Sequence, residues 1–330
     1  MVAKLAFKGV SATLILLIIF MKGTLLHIMI ALVLSEMVKT LLNYSFSRKF
    51  VTPQFKIDFG LWKYLFKEAL PLALSSVIWV IYYRIDVVML SVMMGDAEVG
   101  LYSAAYKLSE PLLLIPSALM TSLFPIMSAS FKSSEERLIK TYRLSIKYIL
   151  IIMLPIAIGT TIIADKVILL IYGIPFAGSI TALQILIWAL VFTSINPILT
   201  RLLTAIGKQK LNTLSSALCA TFNVALNFIL VPILSYNGAA IATVLTNIIF
   251  FVSSFYFVSK YMHVLPIHKI FIKPVISSLI MAAFVCYFID TNIFSLVLSA
   301  TLVYLVALLA LKTFTEEDIY IAKTIISKNK

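Results

Sequence analysis

Charge is what this sequence has least of. Only 12% of its 330 residues are Asp, Glu, Lys or Arg, and the acidic ones number 14. A soluble domain carries about 25% charged residues, so water is excluded as the solvent for most of this surface. Cysteine is equally scarce. Cys219 and Cys286 each sit inside an apolar run, where a thiol behaves as a small hydrophobe, and neither a disulfide framework nor a redox pair follows. The histidines do not assemble a metal site either: His27 reads as an interhelical hydrogen-bonding residue, while His263 and His268 share a loop without cysteine or acidic companions.

What the sequence does have is apolar length. Hydrophobic residues make up 62% of the chain, and they fall in runs of roughly 20, the length that crosses a hydrocarbon core. The expected fold class is therefore all-α membrane, with about ten transmembrane helices near 4–21, 25–46, 70–94, 99–128, 144–164, 179–206, 211–234, 238–260, 270–289 and 292–312. The first run follows Lys4 and Lys8 as a secretory signal would, but no small-residue cleavage site comes after Met21, and it is read as a helix.

The net charge of +13 would suggest nucleic acid in a soluble protein. Here the basic residues lie in turns between apolar runs, so membrane lipids are the expected contact and no nucleic-acid partner is expected. Arg48, Lys63, Lys67, Lys132, Lys140, Lys208, Lys260 and Lys312 fall on one side together with both termini, whereas the opposite side holds only Lys22 and Lys166. Positive charge stays in the cytoplasm, which predicts a multi-pass protein of the cell membrane with both termini cytoplasmic. The opposite turns, at 95–98, 235–237 and 290–292, are too short to hold a sugar-binding domain. Two cytoplasmic segments are longer. Phe59 to Glu68 mixes aromatics with lysines, as an interfacial helix does. Ser133-Ser-Glu-Glu136 is a capping box, expected to start an amphipathic helix leading into the fifth span.

Several stretches carry a family resemblance by their order and spacing across roughly residues 60–262: Arg84-Ile-Asp86, Val99-Gly-Leu-Tyr-Ser-Ala-Ala-Tyr-Lys107, Leu123-Phe-Pro125, Ile171-Tyr-Gly173, Ala205-Ile-Gly-Lys208, Asn223 with Asn227, Pro232, and Gly238-Ala-Ala-Ile-Ala-Thr243. The chain resembles the polysaccharide-transport branch of the multidrug/oligosaccharidyl-lipid/polysaccharide exporter superfamily. That resemblance implies two six-helix lobes around a central cavity, often with a C-terminal helix pair, and a substrate of sugars carried on a polyprenyl pyrophosphate. On this pattern residues 1–46 are a partial first lobe of two helices, 47–69 a cytoplasmic linker with an interfacial amphipathic helix, 70–262 the second lobe of six helices, and 263–330 the C-terminal pair and tail. Four helices of the first lobe are then missing, with a second chain as one source of them. The expected function is flipping lipid-linked oligosaccharide for glycan biosynthesis. Its alternatives are a drug/cation antiporter of the same superfamily, a remnant that inserts without transporting, and a membrane glycosyltransferase or polymerase.

Charges within the spans are the candidate site, because each costs about 2.5–3.5 kcal/mol at the bilayer centre on insertion scales. Arg84 and Asp86, two residues apart, point about 200° apart on a helix. Reflection through the turn near Asp96 sets Asp86 opposite Lys107, and Arg84 nearly opposite Glu110. Lys107 and Glu110 share a face while Arg84 and Asp86 do not, so the two pairs hardly form together. The functional reading makes Arg84, with Lys107 and Glu110, the substrate-binding candidates, Arg84 attracting the pyrophosphate by fixed charge and planar donors. The cation-binding candidates are Asp86, Asn223, Asn227 and Thr243, with Thr246 as the substitute for Thr243. Asn223 and Asn227 share one face of the seventh helix at a depth matching Asp86, roughly 13 Å below the outer surface. One carboxylate, two amides and a hydroxyl offer an all-oxygen shell for Na+, or a site for H+ coupling. The bland alternative is that the asparagines merely hydrogen-bond between helices. No other cofactor and no catalytic residue is expected.

Overall fold

The computed structural model describes residues 2–48, 58–118, 121, 135–262 and 267–314. They form ten helical limbs: α1 Val2–Phe20, α2 Leu25–Ser47, α3 Phe59–Met94, α4 Asp96–Ser109, α5 Glu135–Ile171, α6 Ser179–Ala205, the two limbs of Gln209–Tyr261, α9 Ile267–Tyr287 and α10 Ile293–Ala310. No strand occurs among the described residues. Six of the described helical stretches, Gln209–Tyr261 counting once, are long and apolar enough to cross a membrane. The chain is a multi-pass membrane protein.

The stretch Gln209–Tyr261 is a hairpin. Ser235 leaves the helical region with φ 52° and ψ −135°. Asn223 and Thr246, 23 residues apart, lie within 3.3 Å of each other, whereas a straight helix would separate them by about 35 Å. The limbs, residues 209–234 and 236–261, are α7 and α8. The turn demands glycine on its far side: a Cβ on Gly238 would sit 2.3 Å from the Leu230 carbonyl oxygen. Ser235 Oγ donates to Glu98 Oε2 at 2.9 Å and clasps this turn to the start of α4.

The chain divides into two compact units, Met1–Ser75 and Ser76–Lys330. In the first, α1 and α2 pack side by side through the small residues Ala31 and Ser35, both buried. Thr24 opens α2 with a capping box in which the His27 ring accepts the Thr24 N–H at 3.2 Å. Glu36 and Lys39 pair one turn apart, as their spacing predicts. Asp58 caps α3, accepting from the N–H groups of Gly60 and Leu61 at 2.9 and 3.0 Å.

The boundary between the units falls within α3. The expected interfacial helix at 59–68 is not a separate element: α3 is helical from Phe59 to Met94 without a break. Nothing in the sequence between Glu68 and Leu70 stops a helix, since Pro71 alone is a weak signal when the neighbouring turns are apolar. Its first turns keep Phe59, Trp62 and Phe66 exposed beside Lys63 and Lys67.

The second unit is built on α5 and α6. One core cluster joins α5, α6, α8 and α9 through Tyr142, Ile149, Met153, Ile187, Ile195, Leu199, Val258 and Ile270. A second gathers Leu90, Tyr102, Ala105, Ile168, Leu183, Val231 and Ala239 from α3 to α8. A third seats α10 and α9 on α5 through Ile151, Met281, Leu296 and Tyr304. α5 takes part in all three, and it is longer than the expected 144–164 because its polar head and its span form one helix, bent at Ile163 beyond Pro155. Ser133 of the predicted capping box lies outside the described residues. α4 continues as a tighter turn, Glu110–Leu113, where Pro111 interrupts the ladder. Lys166 caps the end of α9 by donating to the carbonyls of Ile289 and Thr291, and Lys273 donates to the Lys312 carbonyl at 2.8 Å beyond α10.

Candidate functional site

The α3–α4 hairpin places two charges of α3 on different sides. Asp86 turns inward and is 5% exposed, whereas the Arg84 side chain is 48% exposed. The carboxylate of Asp86 is filled by donors. Its Oδ1 accepts the Val87 N–H at 2.9 Å. Its Oδ2 accepts the hydroxyl of Tyr102 and that of Thr243 at 3.4 Å. Hydrogen bonds to a charged group contribute about 1.5–3 kcal/mol each, enough together to offset the cost of holding a carboxylate within a span.

Tyr102 is the residue that sequence reasoning missed. It is fully buried, and its hydroxyl lies 3.3 Å from Thr243 Oγ1 as well as on Asp86. Reflection through the turn assumed contact at equal depth, but a phenol reaches about one 5.4 Å turn along its neighbour. Asp86 is therefore met by Tyr102, and the pairing of Asp86 with Lys107 does not occur; Lys107 is exposed. The available signal was the i, i+4 spacing of Tyr102 and Tyr106, which puts both rings on one face of α4.

Arg84 meets Glu110, Nη2 to Oε1 3.8 Å, and its guanidinium stands 5.3 Å from the ring centroid of Tyr106. Both partners of this pair are about half exposed, so the attraction between them is weak. The guanidinium can take a bidentate anion in that position.

The four cation candidates fall into two adjoining groups. Thr243 joins Asp86. Asn223 and Asn227 join each other and Thr246, one turn further along α8: Asn223 Nδ2 donates to Thr246 Oγ1 at 3.3 Å, and Asn227 Nδ2 to the carbonyl and Oδ1 of Asn223 at 2.9 and 3.2 Å. Among the described residues no hydrogen bond joins Asp86 to either asparagine. Asn227 is fully buried, and its Oδ1 receives no donor. An orphaned acceptor costs about 1–3 kcal/mol, and a bound cation would satisfy it. The polar seam runs on to α6, where Thr193 Oγ1 donates to Asn247 Oδ1 at 2.9 Å and Asn247 Nδ2 to the Thr243 carbonyl at 2.9 Å. Among the described residues no cluster of His, Cys, Asp or Glu is suited to a transition metal.

Two family models match this chain: one described as polysaccharide biosynthesis protein, over residues 8–131, and one described as MatE, over residues 71–229. The fold is that of a solved lipid II flippase, MurJ, in an inward closed conformation, with a TM-score of 0.74 at 18% identity over 97% of this chain and 67% of that one. In sequence and fold the chain is similar to members of the multidrug/oligosaccharidyl-lipid/polysaccharide exporter superfamily. Similar proteins include two of Haloferax volcanii. One, named a probable low-salt glycan biosynthesis flippase, Agl15, is 26% identical over 58% of this chain and 42% of its own length. The other, named a probable flippase, AglR, is 28% identical over 50% of this chain and 35% of its own length. The matched part is thus less than half of these curated relatives.

Proposed function

We propose that this chain takes part in moving a polyprenyl-pyrophosphate-linked oligosaccharide across the cytoplasmic membrane, for the synthesis of a surface glycan. The observation that supports this most is Arg84: a permanent cation on α3, about half exposed, with Glu110 at 3.8 Å and the Tyr106 ring beside it. A guanidinium so placed attracts the pyrophosphate, the one group shared by all such lipid-linked sugars, while the apolar helices accept the prenyl chain. Glu110 borders it and competes for Arg84 when the anion is absent, while Lys107, exposed on α4, adds positive charge.

Asp86, with Thr243, Asn223 and Asn227, holds the coupling ion, Na+ or H+. Its oxygens are hard donors of the kind such ions take, and the buried Oδ1 of Asn227, which accepts no hydrogen bond, supports this reading. The chain acts as a transporter and not as an enzyme, with both termini in the cytoplasm as the basic turns require. Transport of a fluorescent polyprenyl-pyrophosphate-linked sugar in proteoliposomes tests the reading. Wild-type protein is expected to move it, and Arg84→Ala to insert normally and move none; flipping by Arg84→Ala at the wild-type rate rejects the role. The match to the MatE model favours a second reading, antiport of organic cations. Uptake of an organic cation without movement of the lipid-linked sugar selects it.

A further inference from the structure

Arg84 and Asp86 diverge on α3, yet α4 joins them from outside. Tyr102 gives its hydroxyl to Asp86. One turn on, the ring of Tyr106 stacks on that of Tyr102, centroids 6.1 Å apart and planes 28° apart. The Arg84 guanidinium then lies 5.3 Å from the Tyr106 centroid, and Glu110, a further turn on, faces Arg84 at 3.8 Å. Residues 102, 106 and 110 repeat at four-residue spacing, so one stripe of α4 touches both charges of α3.

We propose that the stacked pair Tyr102–Tyr106 is the positioning element that couples cation binding at Asp86 to anion binding at Arg84. The proposal rests on the two sites assigned above and adds the link between them. A cation arriving at Oδ2 of Asp86 competes with the Tyr102 hydroxyl for the same lone pairs. Tyr102 is fully buried and interiors are close-packed, so displacing its hydroxyl shifts its ring against Tyr106. Tyr106 sets whether the guanidinium is held over its face toward Glu110 or turned to an anion. By linkage, an anion at Arg84 changes the affinity of Asp86 for the cation by the same factor.

The link is tested on the purified full chain in lipid nanodiscs, with farnesyl pyrophosphate as the anionic probe. Its Kd is measured in NaCl and in choline chloride at equal ionic strength, and again in choline at two pH values, while calorimetry records sodium binding. The readout is the ratio of the two Kd values on one variant, which a general loss of structure does not move. Wild type is expected to show a ratio of about fivefold or more. Tyr106→Leu brings it to about one, and Tyr106→Phe, which keeps the ring, restores it. Tyr102→Phe keeps the stack, loses the hydroxyl and also falls to about one, which decides the matter if Tyr106→Leu does not fold. If pH and not sodium moves the affinity, the ion is a proton, and collapse of the pH ratio in the same variants supports the link. A wild-type ratio in Tyr106→Leu or Tyr102→Phe overturns the coupling, as does a ratio of one in wild-type protein that binds both ligands; the two sites then stand unlinked. Failure of wild type to bind the probe, or to respond to either cation, overturns the site assignment itself and the coupling with it.

Discussion

Asn227 sits one turn from Asn223 on α7 with its amide nitrogen satisfied twice and its amide oxygen not at all. In a fully buried position an unpaired acceptor costs about 1–3 kcal/mol. Replacing it with leucine removes the orphaned oxygen but also takes the donor from Asn223 Oδ1. Asn227→Leu is therefore expected to leave thermal stability in sodium-free buffer within about 1 kcal/mol of wild type and to abolish any stabilisation by added NaCl. A melting series in NaCl against choline chloride checks both halves; a sodium response equal to wild type removes Asn227 from the ion site.

Asp86→Asn keeps the shape of the carboxylate and one accepting oxygen, for Val87 or for Tyr102, while its amide nitrogen only donates and the charge is gone. The variant is expected to fold, to melt within a few degrees of wild type, and to lose transport and the sodium response together. Full transport by Asp86→Asn would show that the charge serves structure alone.

Arg84→Lys separates charge from geometry. A lysine preserves the cation but offers no planar fork and stacks poorly on Tyr106. Transport is expected to fall by about tenfold, between wild type and the inactive alanine variant, an effect near 1.4 kcal/mol. Equal rates for lysine and arginine would reduce the role to a point charge.

Gly238 tests the hairpin. With a Cβ there lying 2.3 Å from a backbone oxygen, Gly238→Leu is expected to destabilise by about 3 kcal/mol or more, read as loss of the monodisperse peak in detergent chromatography. Gly100, whose Cβ would meet nothing within 4 Å, is the control: Gly100→Ala is expected to be neutral or to stabilise by up to about 1 kcal/mol.

The sidedness of the turns is checked by cysteine labelling in a background lacking Cys219 and Cys286. Lys63→Cys and Lys208→Cys are expected to react from the cytoplasmic side and Lys166→Cys from the other. Labelling of Lys63→Cys and Lys208→Cys on opposite faces would refute the proposed topology.

The helices were legible because apolar length and basic turns are one-dimensional signals. The spans placed at 25–46, 179–206 and 292–312 match α2, α6 and α10 almost residue for residue, and the gap at 235–237 anticipated the reversal at Ser235. The continuity of α3 and α5 was not legible, since polar and apolar stretches share one helix when no residue breaks the backbone between them. Within the site, the inward position of Asp86 followed from helical angles and the cost of burial. Tyr102 did not, because a buried hydroxyl looks like any core aromatic until its partner is located. The split of the asparagines from Asp86 turned on one turn of α8, Thr243 against Thr246, a distinction finer than depth counting resolves.

The bond from Ser235 to Glu98 ties the loop between α7 and α8 to the beginning of α4. It acts as a rivet at one end of the helices: on that rim, α4 and the α7–α8 loop are carried along together. If these elements part during a transport cycle, the rim held by Ser235 and Glu98 is expected to be the last to open.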